Sequence, residues 1–176
     1  PEPLNQQAFT LCFPLEYVDG EDFTISKPDQ YSFWSSFVPP LDPPWPGKLF
    51  SWVYTHPATL KPKDLGFDPV KKAGFWSYRQ ILEKGNFQPG FFKGNVSLVN
   101  WPQNDYLLGT LIDVEESVFN EHVAAAAQMN QCLLYWMQTE APRPDGGTGW
   151  KGLRLRPDMV GTTDGMAQYP YIRESR

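Results

Sequence analysis

Two short stretches of this chain gather side chains that can do chemistry. The first is Asn100-Trp101-Pro102-Gln103-Asn104-Asp105-Tyr106. It packs amides, a carboxylate, an indole and a phenol into seven consecutive residues, after a stretch that reads as a strand. Such a loop can hydrogen-bond a polar substrate while an aromatic ring covers the substrate's flat side. The same residues also suit an ordered loop whose Asn and Asp side chains bond their own backbone. The second stretch is Tyr169-Pro170-Tyr171-Ile172-Arg173-Glu174-Ser175-Arg176. Arg173 and Arg176 have the planar forks that clamp a carboxylate or phosphate. Alternatively, Arg173 pairs at the surface with Glu174 or a helix carboxylate, which contributes little. A third candidate is His122, within an apolar helical stripe. It is either a satisfied core histidine or a proton carrier facing a cavity, a role its unperturbed pKa suits.

Other chemistries find no support. The run Gly146-Gly147-Thr148-Gly149 follows a helix instead of joining a strand to one, so it lacks the context of a phosphate-cradling loop. There is no Gly-x-Ser-x-Gly, His-Glu-x-x-His or Cys-x-x-Cys pattern. Two cysteines and two histidines leave no ligand spacing for a metal. Cys12 and Cys132 sit in apolar surroundings and read as buried free thiols. The net charge of −5, with no Lys/Arg-rich run, argues against nucleic acid as a partner. No stretch approaches the ~20 apolar residues of a membrane span.

The element that must position these clusters is a helix over residues 113–140. Asp113 reads as its N-cap, with Glu116 closing a capping box. Val118, His122, Ala125, Met129, Cys132 and Trp136 form one stripe, and Phe119, Val123, Ala126, Leu133 and Met137 a second. Together they make a wide apolar face suited to a sheet. The small residues Ala124–Ala127 allow a close approach. Residues 8–15 alternate as a strand, with Phe9, Leu11, Phe13 and Leu15 on one side. Further strands are expected at 22–25, 49–56, 75–82, 94–99 and 153–155, with a last one entered at 169–176. A short helix is expected over 29–37. Proline-dense loops fill 39–48 and 57–70; the chain has 18 Pro. The expected fold is α+β, a mainly antiparallel sheet covered by one long helix with long Pro-rich loops. Its 176 residues suffice for one domain. The 12 Phe, 8 Tyr and 7 Trp suggest ring-pinned loops or a surface covered by something else. The chain opens at Pro1 and stops at Arg176 within what reads as a structured element, so it is expected to be a segment of a longer protein.

The Asn100–Tyr106 loop, the helix containing Glu121-His122-Val123, and the string Gly165 to Arg176 together resemble a family. It is the bacterial FAD-dependent oxidoreductases, in which a second domain interrupts the dinucleotide-binding domain. The resemblance is best over residues 75–176 and looser over 8–56, and the Tyr-Ile-Arg-Glu-Ser-Arg string is its most specific part. The family's Gly-rich FAD fingerprint is absent here. The resemblance therefore implies the inserted substrate-binding or cap domain of a longer flavoprotein, with FAD held by the parent protein and not by this fragment. In that reading the flavin takes a hydride from a substrate C–H bond. Asn100, Trp101, Asn104, Asp105 and Tyr106 shape the substrate side. Arg173 and Arg176 lie near the flavin or an anionic substrate group, and His122 transfers a proton. The implied partners are the flavin-binding domain of the same chain and a small polar substrate. The competing expectation is a non-catalytic module that binds carbohydrate or protein through its aromatic residues.

Overall fold

A computed structural model describes residues 6–173. The fold is α+β, and every strand pairing is antiparallel. Its main sheet has four strands in the order β10-β2-β8-β7: β2 is Phe13–Tyr17, β7 Gln80–Leu82, β8 Asn95–Val99 and β10 Leu153–Leu155. A two-stranded ladder joins β1, Phe9–Thr10, to β9, Asp105–Tyr106. Two small hairpins complete the strands. One pairs β3, Val53–Thr55, with β4, Pro62–Asp64, and the other pairs β5, Phe67–Asp68, with β6, Ala73–Gly74. The helices are α1, Tyr31–Trp34, α2, Phe75–Tyr78, the long α3, Glu116–Thr139, and α4, Pro157–Val160.

The long helix forms as its apolar periodicity requires, with a different start. Asp113 has a φ of 54°, in the left-handed region, and the N-cap is Glu115, which makes no side-chain cap bond. The expected capping box at Asp113 is therefore not formed. The buried part of α3 runs from Ala126 to Gln138, while Ala124 is exposed. Its covered face meets a slab of rings. Trp52 stacks on Phe67 at 4.8 Å and meets Trp136 of α3 at 4.8 Å. Phe67 in turn touches Trp76, Trp101 and Trp150 edge-on. All of these rings are buried, so most of the tryptophan sits in the domain's own core.

Two amides of α3 hold the irregular strands. Gln138 is fully buried; its Oε1 accepts the N–H of Ile25 at 3.0 Å, and its Nε2 donates to the carbonyls of Phe23 and Leu153 at 2.8 Å each. The expected strand at 22–25 does not form, because part of that segment's backbone bonding goes to this side chain, while Phe23 N–H donates to Lys151 O. Asn130 is likewise buried and donates to Leu11 O at 2.7 Å. That bond falls where the alternation over residues 8–15 breaks into β1 and β2. Thr10 and Cys12, which alternate with Phe9, Leu11 and Phe13, are buried too.

The expected strand over 75–82 is two elements. Phe75 and Trp76 are adjacent and both buried, a pattern that one-sided alternation cannot produce and one helical turn can. The strand then starts at Gln80, and Ile81 bulges out between the Gln80↔Ser97 and Leu82↔Val96 pairs. The strand expected at 49–56 is shortened to β3, and the helix expected at 29–37 to α1. Of the stretch expected at 169–176, the described part makes a single bridge, Thr10↔Tyr171. Both cysteines are free and buried. Among the described residues no helix is long and apolar enough to cross a membrane.

Candidate active site

The Asn100–Tyr106 loop is shaped by its own proline and asparagine. Pro102 opens a 3-10 turn over Pro102–Asn104, where its missing N–H costs nothing. Asn104 then folds the loop back. Its Oδ1 accepts Trp101 N–H at 2.8 Å, and its Nδ2 donates to Leu11 O at 3.3 Å and Val99 O at 3.4 Å. Asn104 is fully buried, so it acts as a strut behind the loop. Gln103, which the sequence gives no reason to single out, is also fully buried.

Next comes β9, whose two residues point to opposite faces. Tyr106 enters the core, 5.1 Å from the ring of Phe9 and 5.7 Å from that of His122. Asp105 turns the other way and pairs across the ladder with Thr10. Thr10 is joined on its other side to Tyr171 by two backbone bonds, of 3.0 and 2.8 Å. Two residues further on, Arg173 reaches back over this junction. One guanidinium nitrogen donates to Ala8 O at 2.7 Å and to Thr10 Oγ1 at 2.9 Å, and another lies 3.1 Å from Asp105 Oδ1. Thr10 Oγ1 also donates to Asp105 Oδ1.

Asp105, Arg173, Asn100, Trp101 and Pro102 line one side of a cleft of about 240 Å³, closed by Tyr78, Arg79 and Tyr171. Burial pushes the Asp105 carboxyl above its ordinary value, and the Arg173 charge and the hydrogen bonds from Thr10 and Arg173 oppose that rise. Both of these contacts fall on Oδ1. Oδ2 has no partner among the described residues and is not buried, so it is open to accept. The Asn100 amide and the Arg79 guanidinium likewise have no polar side-chain partner among the described residues. Arg79 is exposed beside the Tyr78 ring, 5.4 Å away. Two guanidiniums against one carboxylate leave the cleft net positive. Trp101 forms part of its wall, with its ring buried against Phe75 at 5.3 Å. The arrangement can accept a proton or hydrogen bond at Asp105, donate at Asn100 and hold an anionic group at Arg79, with tyrosine rings at the rim.

The structure thus gathers Asn100, Trp101, Asp105 and Arg173, and parts them from Asn104, Tyr106 and His122. His122 lies on the far side of Tyr106, half-buried, where its ring fills the space that a side chain at Gly109 would need. Arg176 lies outside the described residues. Tyr78 and Arg79 are the cleft residues that sequence reasoning missed; within an expected strand their positions carry no signal.

A dinucleotide needs free backbone N–H groups around its pyrophosphate. In the Gly146–Gly149 turn the three glycine N–H groups are spent. Gly146 N–H goes to Arg143 O, Gly147 N–H to Asp145 Oδ1 and Gly149 N–H to Ala141 O. The turn therefore does not fit that group. Among the described residues no cluster of His, Cys, Asp and Glu could hold a metal ion.

A family model described as FAD dependent oxidoreductase matches residues 2–176. No curated protein and no solved structure matches the chain.

Proposed function

The chain belongs to the FAD-dependent oxidoreductase family, and from that premise we propose that it is the substrate-side, or cap, domain of such an enzyme. FAD is the cofactor of the family. We assign its binding to a separate flavin-binding domain of the same chain, since the glycine-rich turn here has its three glycine N–H groups engaged. What this domain supplies is a cleft for a small polar substrate.

One observation carries the reading. Asp105 Oδ2, the Asn100 amide and the Arg79 guanidinium line one small cleft and have no hydrogen-bond partner among the described residues, while Asn104 of the same loop is committed to the fold. Arg173 holds Asp105 in place and is itself engaged by Ala8, Thr10 and Asp105, so we assign it a positioning part. Asp105 accepts a hydrogen bond, or a proton, from a substrate hydroxyl or amine. Asn100 fixes the neighbouring polar group, and Arg79 favours a substrate with a carboxylate. Trp101, Tyr78 and Tyr171 exclude water from its apolar side. His122 is given no part, because Tyr106 stands between it and the cleft-facing side of β9.

The test is a screen of hydroxy acids, polyols and sugars against the flavin-loaded full-length protein, followed by loss of the flavin's visible absorbance. With any substrate so found, Asp105→Asn and Asn100→Ala lower kcat/KM by about 10²-fold or more, and Arg79→Met raises KM with kcat little changed. His122→Ala leaves both near wild type. Full turnover in Asp105→Asn and Asn100→Ala would remove the cleft from the reaction.

A further inference from the structure

A second groove, sharing no residue with the Asp105 cleft, lies against the other face of the main sheet. Glu16 sits on β2 between Leu15 and Tyr17 and so points away from the side on which Leu15 joins the α3 core. It is fully buried and charged, which a fold tolerates only with close partners. It has three. Arg154 donates through Nε and Nη2 to its Oε2 at 2.7 Å, Arg156 lies 3.4 Å away, and Gly94 N–H donates to Oε1 at 2.8 Å. Arg156 also grips Asp158 through two bonds of 2.8 and 2.7 Å. One buried carboxylate therefore fixes two guanidiniums along a groove of about 480 Å³.

The opposite wall is aromatic. Phe87, Phe91 and Phe92 form a ring cluster, with centroids 4.7 Å apart for Phe87–Phe92 and 4.9 Å for Phe91–Phe92. Phe91 is 70% exposed, although it is held by its neighbours. Arg156 lies 5.9 Å from the Phe92 ring. Lys93 stands at the rim, and its ammonium has no carboxylate partner among the described residues. Arg154 keeps its Nη1 free among those residues. Lys93, Arg154 and Arg156 outnumber Glu16 and Asp158, so the groove is net positive beside an ordered, exposed aromatic wall.

We propose that this groove is a binding site for a small aromatic anion, a flat ring bearing a carboxylate or phosphate. The ring lies on Phe91 and Phe92, and the anionic group takes Arg154 Nη1 and Lys93 Nζ. Both halves are required, because the phenylalanines offer no polar handle and the cations alone are well solvated.

Titration of the full chain by calorimetry with benzoate and phenyl phosphate tests this. At least one binds with a Kd near or below ~1 mM, and benzyl alcohol, which keeps the ring without the charge, binds at least about tenfold more weakly. Phe91→Ser and Lys93→Gln, both at exposed positions, each weaken the anion about fivefold or more and leave the melting temperature unchanged; Arg79→Met, in the other cleft, leaves the affinity unchanged. The proposal fails if neither anion binds below ~10 mM. It fails equally if the Phe91→Ser/Lys93→Gln protein binds as the wild type does, or if Arg79→Met abolishes the binding.

Discussion

Asp105 stands under two opposing influences, desolvation that disfavours its charge and the Arg173 and Thr10 contacts that favour it. Desolvation is the larger, so its pKa in the folded protein lies above the ordinary carboxylate value. A group with a raised folded pKa stabilises the fold fully below its unfolded pKa, and that contribution is lost as pH rises through the folded value. Urea unfolding as a function of pH should therefore show a loss of stability across that window, and Asp105→Asn should lack it. Burial pushes both thiols, Cys12 and Cys132, up to about 11. Neither should react with iodoacetamide at neutral pH in the native protein, and both should react once it is unfolded. The residues of this site were partly legible in the sequence. Asp105 and Arg173 stand out as polar types in dense clusters. That Asn104 and Tyr106, from the same cluster, turn away from the cleft is a matter of a 3-10 turn and of strand alternation, which composition does not reveal. Arg79 enters the cleft only because α2 and the bulge at Ile81 re-aim the chain.

At the scale of elements, α3 does more than cover a sheet. Its apolar period was readable, since the pattern repeats over many turns. Its two buried amides were not, because Asn130 and Gln138 look like solvent-facing residues until the irregular segments they serve are in place. Gln138 replaces a strand partner for Phe23 and Ile25 and also binds Leu153 O. Gln138→Leu keeps similar bulk and leaves these groups without that partner. It should cost on the order of 3 kcal/mol in equilibrium unfolding, more than Gln128→Leu at an exposed site of the same helix. Equal stability of the two variants would show that water replaces the amide. The aromatic content had two readings, ring-pinned loops or a surface covered by another domain. The tryptophans follow the first; of the rings left outside, Tyr78 and Tyr171 rim the cleft and Phe91 walls the second groove.

For the whole molecule, the arrangement that matters is the meeting of β1, β9 and the Tyr171–Arg173 segment. It brings residues far apart in sequence, Thr10, Asp105 and Arg173, into one ion-paired junction at the floor of the cleft. Membership of the FAD-dependent oxidoreductase family gives that junction its proposed meaning. If the cleft is the substrate side, the flavin-binding domain must close over the face that carries Tyr78, Arg79 and Tyr171. The most direct measurement is a structure of the flavin-loaded full-length protein. The flavin ring is expected to open onto the cleft, near enough for one small substrate to touch both the ring and Asp105 Oδ2. A flavin ring facing His122, the Phe91 groove or any other face of this domain, with Asp105 left open to solvent, would contradict it.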